Sequence, residues 1–149
     1  MSLESLARIG QLKPHQPTAE EIQRLLAAAK RNLADAARAK NSAETRFDCA
    51  YKTIMQCALV AMMAAGYRPS TNQPGHHQTM IQSLPLTLGI GNDEWVLLDA
   101  LRKKRNQNDY TGAPIAQGEA DEAISRATEL LKQVRAHLKQ QRPDLLAKP

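Results

Sequence analysis

Apolar residues recur at steps of three and four along most of this chain, and that spacing predicts helices. Ile22, Leu25, Leu26, Ala29, Leu33, Ala36 and Ala37 mark one face of a first long helix over 18–40. Thr18 followed by Glu21 has the spacing of a capping box at its start. A second helix is predicted over 41–67, capped by Asn41 or Ser42. Its broad apolar face holds Phe47, Ala50, Tyr51, Ile54, Ala58, Ala61, Met62 and Ala65. Gly66 and Pro69 stop it. Residues 68–77 read as a loop. Met80, Ile81 and Leu84 then predict a short helix, which Pro85 breaks. A further helix is predicted over 92–110, opened by Asn92 or Asp93. The last long helix covers 119–141, with Ile124, Ala127, Leu131, Val134 and Leu138 on one side. Its acids come early and its bases late, as the helix dipole favours. No run reads as a strand. The expected fold is all-α, an antiparallel bundle of four long helices and one short one. Residues 1–17, with Pro14 and Pro17, read as a flexible lead. Residues 18–140 read as one domain and 141–149 as a frayed tail.

Composition agrees with a helical core. Only Phe47, Tyr51, Tyr67, Trp95 and Tyr110 are aromatic, so Leu, Ile, Met and Ala must fill the interior. A chain of 149 residues is long enough to bury such a core without disulfides or metal. Cys49 and Cys57, eight residues apart, would lie about 12 Å apart on one helix. A disulfide cannot span that distance. The opening residues lack a basic cap followed by an apolar run, and the longest apolar stretch is too short to cross a bilayer. A cytoplasmic protein without membrane contact is the expectation. The formal charge of +5 permits nucleic-acid binding without requiring it.

The basic stretch "LRKKRNQNDYTG", Leu101 to Gly112, sharpens that charge. Leu98 and Leu101 lead at helical spacing to Arg105, which places a cation on the core-facing side, where it needs a partner or a cleft. Asp109, four residues on, is one such partner. Asn106 and Tyr110, also four apart, share a neighbouring face. Arg102, Lys103 and Lys104 spread around the outside. A solvated helix end with an ordinary Tyr-Thr-Gly stop accounts for the same pattern without any site.

Three segments together resemble the HEPN superfamily of small helical bundles. "ETRFDCAYKTIMQCALVAMMAAGYRP" is similar to that family's second helix, "GHHQTMIQSLP" to its short middle helix, and "LRKKRNQNDYTG" to its signature of an Arg, a polar residue, three variable positions and a His. The resemblance runs from about Ala19 to Leu138. It implies a homodimer whose signature helices meet in one cleft. It also implies metal-independent endoribonuclease chemistry of the toxin–antitoxin or phage-defence kind, with no metal or cofactor. Arg105 then matches the phosphate-binding Arg and Asn106 the polar position. Tyr110 stands where the His belongs, and a phenol with pKa near 10 is a poor base at neutral pH. The expectation is therefore a nucleotide- or RNA-binding module with cleavage silenced. Arg102, Lys103, Arg105, Asn106 and Tyr110 would contact phosphate or base. Two alternatives stay open. One is an active endoribonuclease using Arg105, Asn106 and Tyr110. The other is a non-catalytic partner of a nucleotidyltransferase or antitoxin, in which the basic helix meets an acidic protein surface.

Other candidates are weaker. His76 and His77 are adjacent, so on a helix they point about 100° apart and make poor joint metal ligands. Polarity near a helix start explains them. If the fold brings His77 beside Arg105, it could replace the missing base. His15 and His137 are expected in solvent. Glu20–Glu21 and Asp121–Glu122 are first-turn acids that capping explains. "LGIGND" lacks the preceding strand that a dinucleotide loop needs.

Overall fold

The computed structural model describes residues 1–72 and 75–148. Four long helices carry the fold: α2 (Ala19–Ala36), α3 (Ala43–Ala64), α6 (Asn92–Thr111) and α7 (Gln117–Gln141). Three short ones accompany them: α1 (Leu3–Arg8), α4 (His76–Gln82) and α5 (Leu84–Thr87). The protein is all-α apart from a two-stranded ribbon of β1 (Leu12–Pro14) and β2 (Tyr67–Pro69). No helix among the described residues is long and apolar enough to cross a membrane.

The predicted caps form. The Thr18 hydroxyl accepts from the Glu21 amide at 3.2 Å, and the Glu21 carboxylate accepts from the Thr18 amide at 3.1 Å. Ser42 accepts from the Thr45 amide at the start of α3. The pattern-based break falls at Ser83, between α4 and α5, with Pro85 in the first turn of α5. The loop read over 68–77 is shorter than expected, because β2 takes its first residues and α4 begins at His76. Gln73 and Pro74 of that loop, and Pro149 of the tail, lie outside the described residues. The opening of α6 differs too. Gly91 is its N-cap residue and supplies no side-chain cap, while the Asn92 amide oxygen accepts instead from the Trp95 indole at 2.6 Å.

Side-chain contacts give the directions. Thr53 donates to the Ala29 carbonyl at 2.9 Å and Arg46 to that of Ala36, so α2 and α3 run antiparallel. Lys104 pairs with Glu119, while Gln133 donates to Glu94, so α6 and α7 do the same. At its two ends α3 meets the matching ends of α7: Arg46 reaches Asp121, and Arg142 donates to the Ala64 carbonyl. Consecutive long helices therefore alternate in direction, as expected. α3 packs chiefly on α2 and α7. Small residues make this close packing possible, since Ala50, Ala58 and Ala61 of α3 and Ala120, Ala123 and Ala127 of α7 are all buried. α6 stands apart. It buries only Leu98, Asp99 and Leu101, and rests mainly on α4.

Both ends of the chain, read from sequence as a flexible lead and a frayed tail, carry short elements. Ser2 and Ser5 cap α1 reciprocally, and Leu6 and Leu12 are buried. β1 pairs antiparallel with β2 in the register Leu12↔Pro69, Lys13↔Arg68 and Pro14↔Tyr67. Three residues ending in proline hold too little alternation to read as a strand. What orders them is the partner, 55 positions away in the Lys13–Arg68 pair. At the other end, Pro143–Leu146 forms a 3₁₀ turn that buries Leu145, and Gln23 of α2 donates to the Leu145 carbonyl. His15, expected in solvent, lies 2.7 Å from the Glu21 carboxylate and ties β1 to the start of α2.

Candidate functional site

The middle of α6 faces α4 and α3, and there the basic stretch divides by helical geometry. Arg102 and Arg105 turn inward, Lys103 outward, and Lys104 crosses to Glu119 of α7 at 3.3 Å. Arg102, expected outside, is largely buried. Its Nε donates to Asp99 Oδ1 at 2.8 Å, and Asp99 is itself buried. A buried carboxylate needs such a partner, and a guanidinium fixed by one carboxylate keeps its remaining N–H groups for another anion. Lys103 reaches the same carboxylate only at 3.6 Å, from a mostly exposed position.

Arg105 does face inward, and its side chain is 32% exposed. Its guanidinium carbon sits 4.9 Å from the centroid of the Tyr51 ring, within cation–π range. Its Nε lies 3.7 Å from Asp109, the partner that the spacing suggested. Asp48 of α3 is near enough to feel the same cation. Burial raises the Asp48 carboxyl pKa above the usual range, and Arg105 works against that rise.

His77 completes the cluster. Its Nδ1 lies 3.3 Å from the Tyr51 hydroxyl, so Tyr51 sits between a guanidinium on its face and an imidazole at its tip. The His76 ring meets His77 edge-on, with centroids 4.7 Å apart. Burial pushes the Tyr51 phenol up to about 12, keeping it protonated at neutral pH. Burial also lowers the pKa of His77, and the neighbouring His76, Arg105 and Arg102 act in the same direction. A neutral imidazole is thus favoured beside two guanidiniums.

Two cavities flank His77. One, of about 180 Å³, is lined by His76, His77, Arg102 and Asn106 together with Gly75 and Gln78. The other, of about 260 Å³, is lined by Tyr51, Lys52, Met55, Gln56, His77 and Arg105. The first presents one guanidinium, two imidazoles and two side-chain amides, a donor set suited to phosphate oxygens. The second adds apolar and aromatic surface beside two further cations.

Of the five residues singled out in the basic stretch, Arg102, Arg105 and Asn106 line these cavities. Lys103 instead borders a separate groove between α6 and α7. Tyr110 does not join the site. Five residues beyond Arg105, it is rotated well away from it around the helix, and it is 86% exposed. The sequence reading placed Tyr51 in the core and Asp99 nowhere. Asp99 was detectable, because an acid three positions before Arg102 shares its helix face. Tyr51 carried no local signal, since its partner His77 is 26 residues away on another helix.

Compared with protein-family models, with curated proteins and with solved structures, the chain matches none of them.

Proposed function

We propose that this protein is a HEPN-like module that binds a phosphate-bearing ligand, RNA or a nucleotide, against the inner face of α6. Arg102 and Arg105 neutralise the phosphate, and Asn106 donates a hydrogen bond beside them. The observation that carries this reading is the pair of inward guanidiniums at the mouths of two adjoining cavities, one anchored by buried Asp99 and the other stacked on Tyr51. Three features favour a ligand over a solvated helix end. The cations point inward, their carboxylate partners leave donors free, and imidazoles face them. Phosphate contacts release counterions, so RNA affinity should fall steeply with salt. Titration of single-stranded RNA at two salt concentrations checks this. Arg105→Ala should weaken binding at the lower salt and flatten the salt dependence. Equal affinity of wild type and variant at both concentrations would refute the assignment.

One observation favours a second reading, a docking role for the outer face of α6. Val96 is 50% and Leu97 44% exposed on that helix, with Tyr110 further along it. A partner protein or a second copy of the chain would cover such residues. Sedimentation of the isolated chain across a concentration range distinguishes self-association from a surface that waits for another protein.

A further inference from the structure

The seam between α6 and α7 is open along part of its length. The groove there measures about 470 Å³, with Leu97, Ala100 and Leu101 of α6 and Phe47 of α3 as its apolar lining. We propose that it binds an apolar monocarboxylate, an acyl chain with a single anionic head. The inference goes beyond the phosphate reading and stands apart from it, because no residue lining this groove lines either cavity beside His77.

Small-molecule sites are concave, of about 300–1,000 Å³, and mostly apolar, with a few polar groups that fix orientation. The groove has each of these properties. Phe47 and Leu101 are buried beneath it, while Leu97, 44% exposed, and Ala100 stand open to solvent. Apolar surface in a concave wall gains from being covered, and an acyl chain laid along it removes water from both partners. Helical geometry sets the groove apart from the phosphate cavities. Leu97, Ala100, Lys104 and Gln107 recur at steps of three and four, and roughly half a turn of α6 separates their stripe from Arg102 and Asn106.

Charge decides which head the chain carries. Lys103 and Lys104 border the groove on α6, and Glu119 and Glu122 on α7. Lys104 pairs with Glu119 at 3.3 Å, and Glu122 with Arg126 at 3.3 Å. Asp99 is held by Arg102 at 2.8 Å. Lys103, 3.6 Å from that same carboxylate and 70% exposed, therefore shares an anion that is already neutralised. The groove keeps one cation in excess, and a single carboxylate balances it. Gln107, one turn beyond Lys103, also borders the groove, and its side-chain amide can donate to the second carboxylate oxygen. A cationic head would meet Lys103 and find both acids of the rim engaged. A dianionic phosphate would bring more charge than one cation balances.

The test titrates the full chain with decanoate, kept below its micelle concentration, by isothermal titration calorimetry, beside octanoate and decylammonium. Decanoate should bind saturably at one site per chain, and decylammonium more weakly. Octanoate should bind about tenfold more weakly than decanoate, as the loss of two buried methylenes requires. Lys103→Gln should weaken decanoate binding by about two- to fivefold, the scale of an exposed ion pair. Lys103→Glu should reverse the preference in favour of decylammonium. Ala100→Phe sets an aromatic ring in the groove and should abolish saturable binding. Both positions are exposed, so the fold should survive, and thermal unfolding checks it. If a variant does unfold, the wild-type series of heads and chain lengths decides. Equal affinity for decanoate and decylammonium in the wild type overturns the proposal, as does no saturation below the micelle concentration. Undiminished decanoate binding in a folded Ala100→Phe variant overturns it too. A dimer in sedimentation that excludes decanoate and dissociates in Ala100→Phe would give the groove to a second copy and overturn it as well.

Discussion

The two faces that α3 presents to its neighbours differ in kind. α7 packs closely on α3, and both helices bury small residues, Ala50, Ala58 and Ala61 on one and Ala120, Ala123 and Ala127 on the other, with polar contacts at the two ends. Toward α6 the contact is polar and partly open, with Tyr51 and Asp48 meeting Arg105 beside two cavities. The first arrangement gains stability from close approach and burial. The second leaves charged groups incompletely satisfied, which costs stability and provides binding capacity. One helix thus anchors the fold along one side and supplies a site along the other. α6 buries fewer residues than α3 or α7, so more of its length is open to exposed chemistry.

The sharpest way to break this contrast is to damage the closely packed side alone. Ile54 is fully buried in α3, and Ile54→Ala removes three carbons from a packed core. The expected loss is about 2–5 kcal/mol of unfolding free energy, the usual range for such truncations. Arg105→Ala, on the polar side, should cost about 0.5–1 kcal/mol, the scale of one partly exposed cation–π contact. Urea titration of both variants measures the difference. Similar losses would show that α6 is as much a part of the core as α7.

The pH dependence of stability sharpens the comparison on a smaller scale. Burial and nearby cations lower the pKa of His77 in the folded protein. As pH falls through the ordinary histidine value of about 6.5, the unfolded chain therefore binds a proton before the folded one does. The contribution of His77 to stability is complete above that pH and declines below it, until the folded protein also protonates. His77→Gln removes the titration, so its stability should change less than that of wild type between pH 7 and pH 5. Asp48 has a raised pKa and works in the opposite direction at lower pH, so the comparison belongs above the carboxylate range. Urea midpoints of the two proteins at pH 5, 6 and 7 test this. Parallel curves would place His77 in solvent.

The long helices were legible because each carries enough turns for its apolar stripe to repeat, and because Thr18 and Ser42 mark their starts locally. The inward turn of Arg105 followed from the same arithmetic, continued from Leu98 and Leu101. What stayed hidden depends on distant contacts. β1 exists because β2 pairs with it, and the 3₁₀ turn near the C-terminus because Gln23 and Ala64 receive it. The site divides in the same way. Arg102, Arg105 and Asn106 lie within one helix and could be grouped from spacing alone. Tyr51 and His77 join them only through packing between helices.

Tyr110 gives the smallest expected effect and a direct check on how the site was drawn. Sequence order groups it with Arg105 and Asn106, since it occupies the last position of the signature-like stretch. Geometry separates it, because five residues turn a helix by about 140° from Arg105. Its side chain stands in solvent near the C-terminus of α6, where Gly112, at φ 71°, ends the helix. Tyr110→Ala should therefore change stability by no more than about 0.5 kcal/mol. RNA affinity should stay at the wild-type value, measured where the protein is monomeric. A fall in affinity under those conditions would put the RNA path along the outer face of α6, away from the His77 cavities. A fall only at concentrations where the chain self-associates would instead assign Tyr110 to the contact between copies, and the inner site would keep the residues that its geometry gathers.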